Sequence, residues 1–506
     1  MIKRLAAAAS GIVLTALASG GAGVPWLASP AAASSAAGGT TATAAPLVRL
    51  TPRVGPPTTR VTVRGSGFAA YETVDVYFDT KDEALASTSA AGSFTTRVTV
   101  PASALPGRHW VTGNGRRSKR SAQAPFTVRA NWPQFHRSPD RRGYNVTENV
   151  LSPATVPGMD QDWSYPTGGQ SSPAVANGTV YIGSDDDHVY ALNAATGAKE
   201  WSHRIGGNGF GVESSPAVAN GTVYVGSMND RVYALNAATG AKEWSYATGD
   251  WVHSSPAVAN GTVYVGSQDG RVYALNAATG ALKWRYATGG IVYSSPAVAN
   301  GVVYVSSDDD RVYALNAATG ALKWSYATGY HVSSSPAVAY GTIYVGSDDG
   351  SVYALNAATG VLEWSHAIGG AVESSPAVAN GTIYVGSDNY RVYALNAATG
   401  AVEWSYATGD FAVSAPAVAN GVVYVGSFDH HLYALNAATG ARQWSYASGS
   451  VVWSSPAVAN GVVYVASDRV YAFGLPGGMS GGTHRPDPAT LRLTSTSHRT
   501  ANQQPR

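Results

Sequence analysis

From residue 170 to residue 474, apolar and polar positions recur in one fixed order. The third unit shows it: VHSSPAVA, TVYVGS, RVYALN and LKWRYAT are short runs rich in β-branched and aromatic residues. They are separated by Asn260-Gly261, by Gln268-Asp269-Gly270 and by AATG. Such runs bounded by turn residues predict four strands per unit. Asn-Gly between apolar runs predicts a tight hairpin, because both central residues take positive φ. Tyr340-Gly341 departs from that rule, and an aromatic there is expected to strain or reshape its hairpin. No apolar spacing of 3.6 appears, which excludes stacked helical repeats.

The units are spaced like propeller blades. The Pro of SPAVA, or of its variant APAVA, falls at Pro173, Pro216, Pro256, Pro296, Pro336, Pro376, Pro416 and Pro456, 43 residues apart at first and 40 thereafter. A 40-residue period of short strands predicts a β-propeller. Trp recurs in step at Trp163, Trp201, Trp244, Trp284, Trp324, Trp364, Trp404 and Trp444. There are eight of these inner runs but seven ALNAATG runs, since the last unit stops at RVYAFGLPGG without a Trp. Trp163 precedes the first SPAVA, so WSYPT is expected to be the outer strand of the last blade. That arrangement closes a ring of eight four-stranded blades and removes exposed sheet edges.

The run ALNAATGAKEW, Ala191 to Trp201, resembles the eleven-residue tryptophan-docking repeat of the pyrroloquinoline-quinone (PQQ) propeller family, A-x-[DN]-x-x-[TS]-G-x-x-x-W. It is met seven times, through Ala434 to Trp444. The resemblance implies that the Trp residues are structural, each wedged between neighbouring blades. The lead-in NWPQFHRSPDRRGYN also resembles the segment that precedes the propeller in secreted members. In the family's quinoprotein dehydrogenases a cofactor sits near the axis with calcium; its BamB-like members are noncatalytic scaffolds.

The remaining chain divides by texture. Residues 1–33 read as an export signal, with Lys3 and Arg4 before an apolar run and Ala31-Ala32-Ala33 as the cleavage site. Residues 34–45 read as a flexible linker, 46–129 as a small β-sandwich, 130–160 as the lead-in, 161–474 as the propeller and 475–506 as a disordered tail. The sandwich resembles the Ig-like modules of secreted bacterial proteins in GSGFAAYETVDVYFD, VPASALPGRHWVTG and APFTV. The fold class expected is therefore all-β, an eight-bladed propeller preceded by an Ig-like sandwich. A secreted or wall-associated monomer without a membrane span is expected.

Composition narrows the chemistry. The chain has no Cys, which excludes disulfides, thiolate metal sites, a thiol nucleophile and a lipid-modified Cys anchor. Residues 46–142 hold 15 Lys and Arg against 6 Asp and Glu, whereas 143–474 hold 12 against 24. A basic module thus precedes an acidic propeller; a solvated basic surface accounts for it, and no nucleic-acid partner is expected. No GxSxG, HExxH or P-loop pattern occurs. A catalytic site is asymmetric, and eight near-identical blades do not readily supply one. No catalytic residue, cofactor or metal is therefore expected, and PQQ-dependent dehydrogenase activity is the least favoured reading. Asp185-Asp186-Asp187, Asp308-Asp309-Asp310 and Asp348-Asp349-Gly350 read as turn chemistry, with weak calcium sites the alternative. Asp429-His430-His431 is a poor metal patch, because adjacent strand residues face opposite ways.

What remains is binding. Alternating strand direction puts the Asn-Gly and AATG turns on one face and the other two sets of connections on the opposite face. The first face scarcely varies between blades; the second carries Phe210, Glu213, Trp251, His253, Tyr293, Tyr330, His331, Glu373, Phe411 and Trp453. Met228, Gln268, Tyr390, Phe428 and His430 add to it. Aromatics in loops favour a recognition surface. The function expected is a noncatalytic scaffold binding a protein or a cell-envelope polymer, with a glycan-binding lectin as the alternative.

Overall fold

The computed structural model describes residues 44–205, 209, 211–478 and 485–491. The export segment and nearly all of the linker lie outside the described residues.

The first domain is a sandwich of two sheets. Leu47–Thr51, Arg60–Ser66 and Phe94–Thr99 form one; Val54–Gly55, Ser121–Val128, Gly107–Gly115, Thr73–Phe78 and Lys81–Ser87 form the other, in that order. Alternation puts Val48, Leu50, Val61, Val63, Val74, Val76, Phe78, Val111 and Phe126 in one core.

Eight further sheets of the described residues are the blades. Blade 1 consists of Ala174–Ala176, Thr179–Gly183, His188–Asn193 and Lys199–Arg204, each strand antiparallel to the next. Blade 8 is assembled from both ends of the propeller sequence: Asp160–Tyr165 pairs with Val470–Gly474, with Trp163 opposite Ala472. The ring is closed as its repeat count predicts.

Neighbouring blades are joined by the repeat's own side chains. Trp163 Nε1 donates to Ala194 O at 3.0 Å, Trp201 to Ala237 O at 2.9 Å, and Trp244 to Ala277 O at 2.9 Å. The same bond recurs through Trp404 to Ala437 O. Each indole therefore buries a large apolar surface while its one donor is satisfied. The AATG glycine makes room for it: Gly197 has φ +69°, and a Cβ there would lie 2.6 Å from the Trp163 ring. Nearer the axis, Ser172 N donates to Ser215 Oγ, Ser215 N to Ser255 Oγ, and so on around to Ser455 N and Ser172 Oγ. Ala415 stands in that ring where the other blades have Ser, so no hydroxyl is offered to Ser375 N.

The lead-in is an integral part of the ring. Between Trp132 and Asn145 it meets the inner strand of all eight blades. Val175 and Trp132 exchange two backbone bonds; Val218 N donates to Pro133 O, Val298 N to Pro139 O, Val338 N to Asp140 O, Val378 N to Arg142 O and Val418 N to Gly143 O. Val258 N reaches Gln134 Oε1, and Asn145 Nδ2 donates to Val458 O. The free edges of the eight inner strands are thus paired. Positive φ at His136, Arg137 and Arg141 lets the segment curl so tightly. Arg141 is the hub: fully buried, it donates to the carbonyls of Phe135, Ser255, Pro256 and Pro296 at 2.6–3.0 Å. Beside it, burial pulls the His136 imidazole down to about 3.

Two expectations are corrected. Tyr340 does not reshape its hairpin: its φ of +56° falls among the +43° to +57° of the Asn at the same position in other blades. The conformation is stabilised by contacts that Asn lacks, since Tyr340 lies under the Arg142 guanidinium and accepts from Gly381 N. The tail is not disordered throughout, because residues 485–491 are seated on the sandwich.

Candidate binding face

The two propeller faces differ in what covers them. On the Asn-Gly side, Ala130 N donates to Asn460 Oδ1, Asn177 N to Asn131 Oδ1, Asn420 Nδ2 to Leu151 O and Gly461 N to Glu148 Oε2. The lead-in and the sandwich therefore lie against these turns. A cavity of about 540 Å³ remains there between the sandwich and blades 1 and 8, lined by Arg129, Asp162, Glu200 and Tyr464. The opposite mouth presents the variable loops.

Most of the predicted face residues gather there in two groups. Glu213 Oε2 and His253 Nδ1 are 2.9 Å apart, and the His253 ring lies between Trp251 and Tyr293, with centroids 5.9 and 5.4 Å away. Across the mouth, Phe411 meets Phe428 at 5.9 Å, and Phe428 meets Trp453 at 4.4 Å. Tyr390 joins Phe411 at 5.3 Å. Tyr293, Tyr330 and Trp453 are 39, 53 and 38% exposed. Tyr330 packs on His331, whose Nδ1 is 2.5 Å from Asp308 O. Phe210 lies outside the described residues. Beside Trp453 a cleft of about 550 Å³ opens between blades 8 and 1, with Asp185 and Asp468 on its wall.

A third feature surrounds Glu373, and its Asp308 and Asp348 runs read from sequence as turn chemistry, with weak calcium sites the alternative. Asp308, Asp348 and Asp388 hold equivalent positions in blades 4, 5 and 6, and the latter two act on Glu373. Desolvation, with the charges of Asp388 and Asp348, pushes the Glu373 carboxyl up to about 7. Desolvation likewise lifts Asp308 to about 6 and raises Asp348 and Asp388. The buried Oδ1 atoms of all three have no hydrogen-bond partner among the described residues. In blades 4 and 5 the following Asp is already engaged: Asp309 Oδ2 accepts from Gly289 N, and Asp349 Oδ2 from Gly329 N and Tyr353 OH; blade 6 has Asn389 there. Among the described residues no group of three or more His, Asp or Glu side chains is arranged to hold a metal ion. None of their helices is long and apolar enough to cross a membrane.

Ring closure, docking tryptophans and lead-in define a closed eight-bladed propeller of PQQ-type repeats behind a β-sandwich. Residues 154–252, 206–295, 287–371 and 367–481 match the family described as outer membrane protein assembly factor BamB, and the chain belongs to that family. Residues 43–128 match the macroglobulin-like domain. No curated protein matches the sequence. Similar solved structures include a europium-containing methanol dehydrogenase, 16% identical with a TM-score of 0.62, covering 68% of this chain and 98% of that one. BamB from Moraxella catarrhalis is 19% identical with a TM-score of 0.54, over 62% and 99%. The computationally designed Ika8 protein is 19% identical with a TM-score of 0.56, over 62% and 99%. At these identities the likeness is one of fold.

Proposed function

We propose that this chain is a secreted, noncatalytic scaffold whose open propeller mouth binds a protein or a cell-envelope polymer. One observation carries the reading: the chain's own lead-in and sandwich lie against the Asn-Gly face, while the mouth keeps half-exposed rings beside desolvated carboxylates. Trp and Tyr anchors surrounded by unspent charge are the usual makings of a recognition surface. The acidic arc favours a basic partner, so binding weakens as salt rises. The family's description as an assembly factor agrees with a scaffold. Dehydrogenase neighbours argue for fold alone, because repeated blades lack the asymmetry that catalysis needs.

The test replaces Trp251, Tyr293, Tyr330 and Trp453 together with Ser. The variant is expected to melt like the parent but to lose a partner captured from the secreted fraction by the parent. Undiminished capture, with loss on altering the Asn-Gly face, would refute the assignment. Several weak equivalent sites for polysaccharide would favour a lectin instead.

A further inference from the structure

Along each strand of a sandwich, side chains alternate between core and outside. In Gly107–Gly115, Val111 belongs to the core, so Trp110, Thr112 and Asn114 stand on the outer face of the five-stranded sheet. Outer positions ordinarily meet water. Yet Thr112 and Asn114 are 0 and 2% exposed, and their cross-strand neighbours Tyr77 and Asp75 are buried too.

The chain's own C-terminal segment is seated on that face. Gln123 Nε2 donates to Pro486 O at 2.7 Å and to Thr112 Oγ1 at 3.0 Å. Asn114 Nδ2 donates to Pro488 O at 3.2 Å. The Arg485 guanidinium lies 5.1 Å from the Trp110 ring centre and donates to Gln123 Oε1. Pro486 and Leu491 are buried, whereas Asp487, Ala489 and Thr490 face solvent. Asp487 Oδ1 accepts from Ala489 N and starts the single helical turn Pro488–Leu491.

These contacts have the layout of peptide recognition. Proline restricts the segment before it binds, which lowers the entropy lost on docking. Side-chain amides read two backbone carbonyls, an aromatic face takes the cation, and two apolar residues five positions apart anchor the ends. We propose that the outer face of the five-stranded sheet is a groove for segments of the form Arg-Pro-x-Pro-x-x-Leu, and that Arg485–Leu491 of the same chain occupies it as a clasp. Only residues 475–484 separate the clasp from the last propeller strand, so docking is intramolecular and the local concentration of the segment is high. The groove is separate from the propeller mouth and recognises by backbone and cation rather than by acidic charge.

In the full-length chain, Arg485→Ser, Pro486→Ser and Leu491→Ser together release the clasp. A synthetic peptide of residues 484–492, HRPDPATLR, is expected to bind this variant one to one and the parent at least tenfold more weakly, by calorimetry. Adding Gln123→Ala and Trp110→Leu is expected to abolish that binding. Equal binding to parent and released variant, or none to the released variant, overturns the proposal. An independent check leaves the Arg485, Gln123 and Asn114 contacts in place: Ser121→Cys with Ala489→Cys, in a chain with no other Cys, treated with a short bismaleimide. An intramolecular cross-link is expected; its absence, or links only between chains, overturns the clasp.

Discussion

The indole N–H of Trp444 donates to the carbonyl of Met159 at 3.1 Å, whereas the other seven docking tryptophans reach an alanine carbonyl. Blade 8 ends without an AATG turn, and the chain entering from the lead-in supplies the substitute acceptor. The substitution is incomplete. Tyr344 OH in blade 5 donates to Ala397 O at 3.1 Å, but Tyr424 OH, its counterpart in blade 7, is buried with no partner among the described residues. Tyr344→Phe is therefore expected to cost about 1 kcal/mol, and Tyr424→Phe to be neutral or slightly stabilising. Urea midpoints of the two variants check the contrast; equal losses would contradict it.

Arg141 supports the ring from its centre. Replacing it with Met removes donors from four buried carbonyls and is expected to cost on the order of 3 kcal/mol or more. Lys, a single point charge, should recover only part of this. Thermal melts of Arg141→Met and Arg141→Lys test the order; an unchanged midpoint would show that the lead-in is dispensable.

Glu373 should make stability depend on pH. Its carboxyl is raised from 4.5 to about 7, so the folded chain holds this proton more tightly than the unfolded chain does. That contribution is fully present below about 4.5 and is lost as pH rises through about 7. Glu373→Gln is expected to raise Tm at pH 8 by about 1–2 °C, a small gain because solvent screens the side chain, and to leave it unchanged at pH 4. A gain at pH 4 alone would reverse the sign and refute the cause.

The noncatalytic reading is tested by adding PQQ with calcium. No quinone absorbance is expected to remain with the protein after gel filtration, and no dye-linked oxidation of methanol, ethanol or glucose. Stoichiometric quinone with turnover would make the mouth an active site.

The repeat was legible in sequence because each blade folds mainly on local pairing: Asn-Gly turns, period-two strands and a Trp at fixed spacing define a four-stranded sheet without reference to the rest. Closure was legible too, since the one missing Trp at the end matched the one extra Trp at the start. The path of the lead-in was not, because most of its bonds to the inner strands run from backbone to backbone between segments far apart in sequence and leave no side-chain pattern. Nor was the acidic arc: Asp308 and Asp309 are alike in sequence, and only the folded ring brings the Asp348 charge to bear on Asp308 and sets Asp309 Oδ2 on Gly289 N of the preceding connection. Tyr340 violates a local rule that tertiary contact with Arg142 makes tolerable. Pro486 and Leu491 read as tail until a sheet face elsewhere in the chain buries them. Local geometry is written in neighbouring residues, whereas desolvation and long-range pairing exist only once distant segments have met.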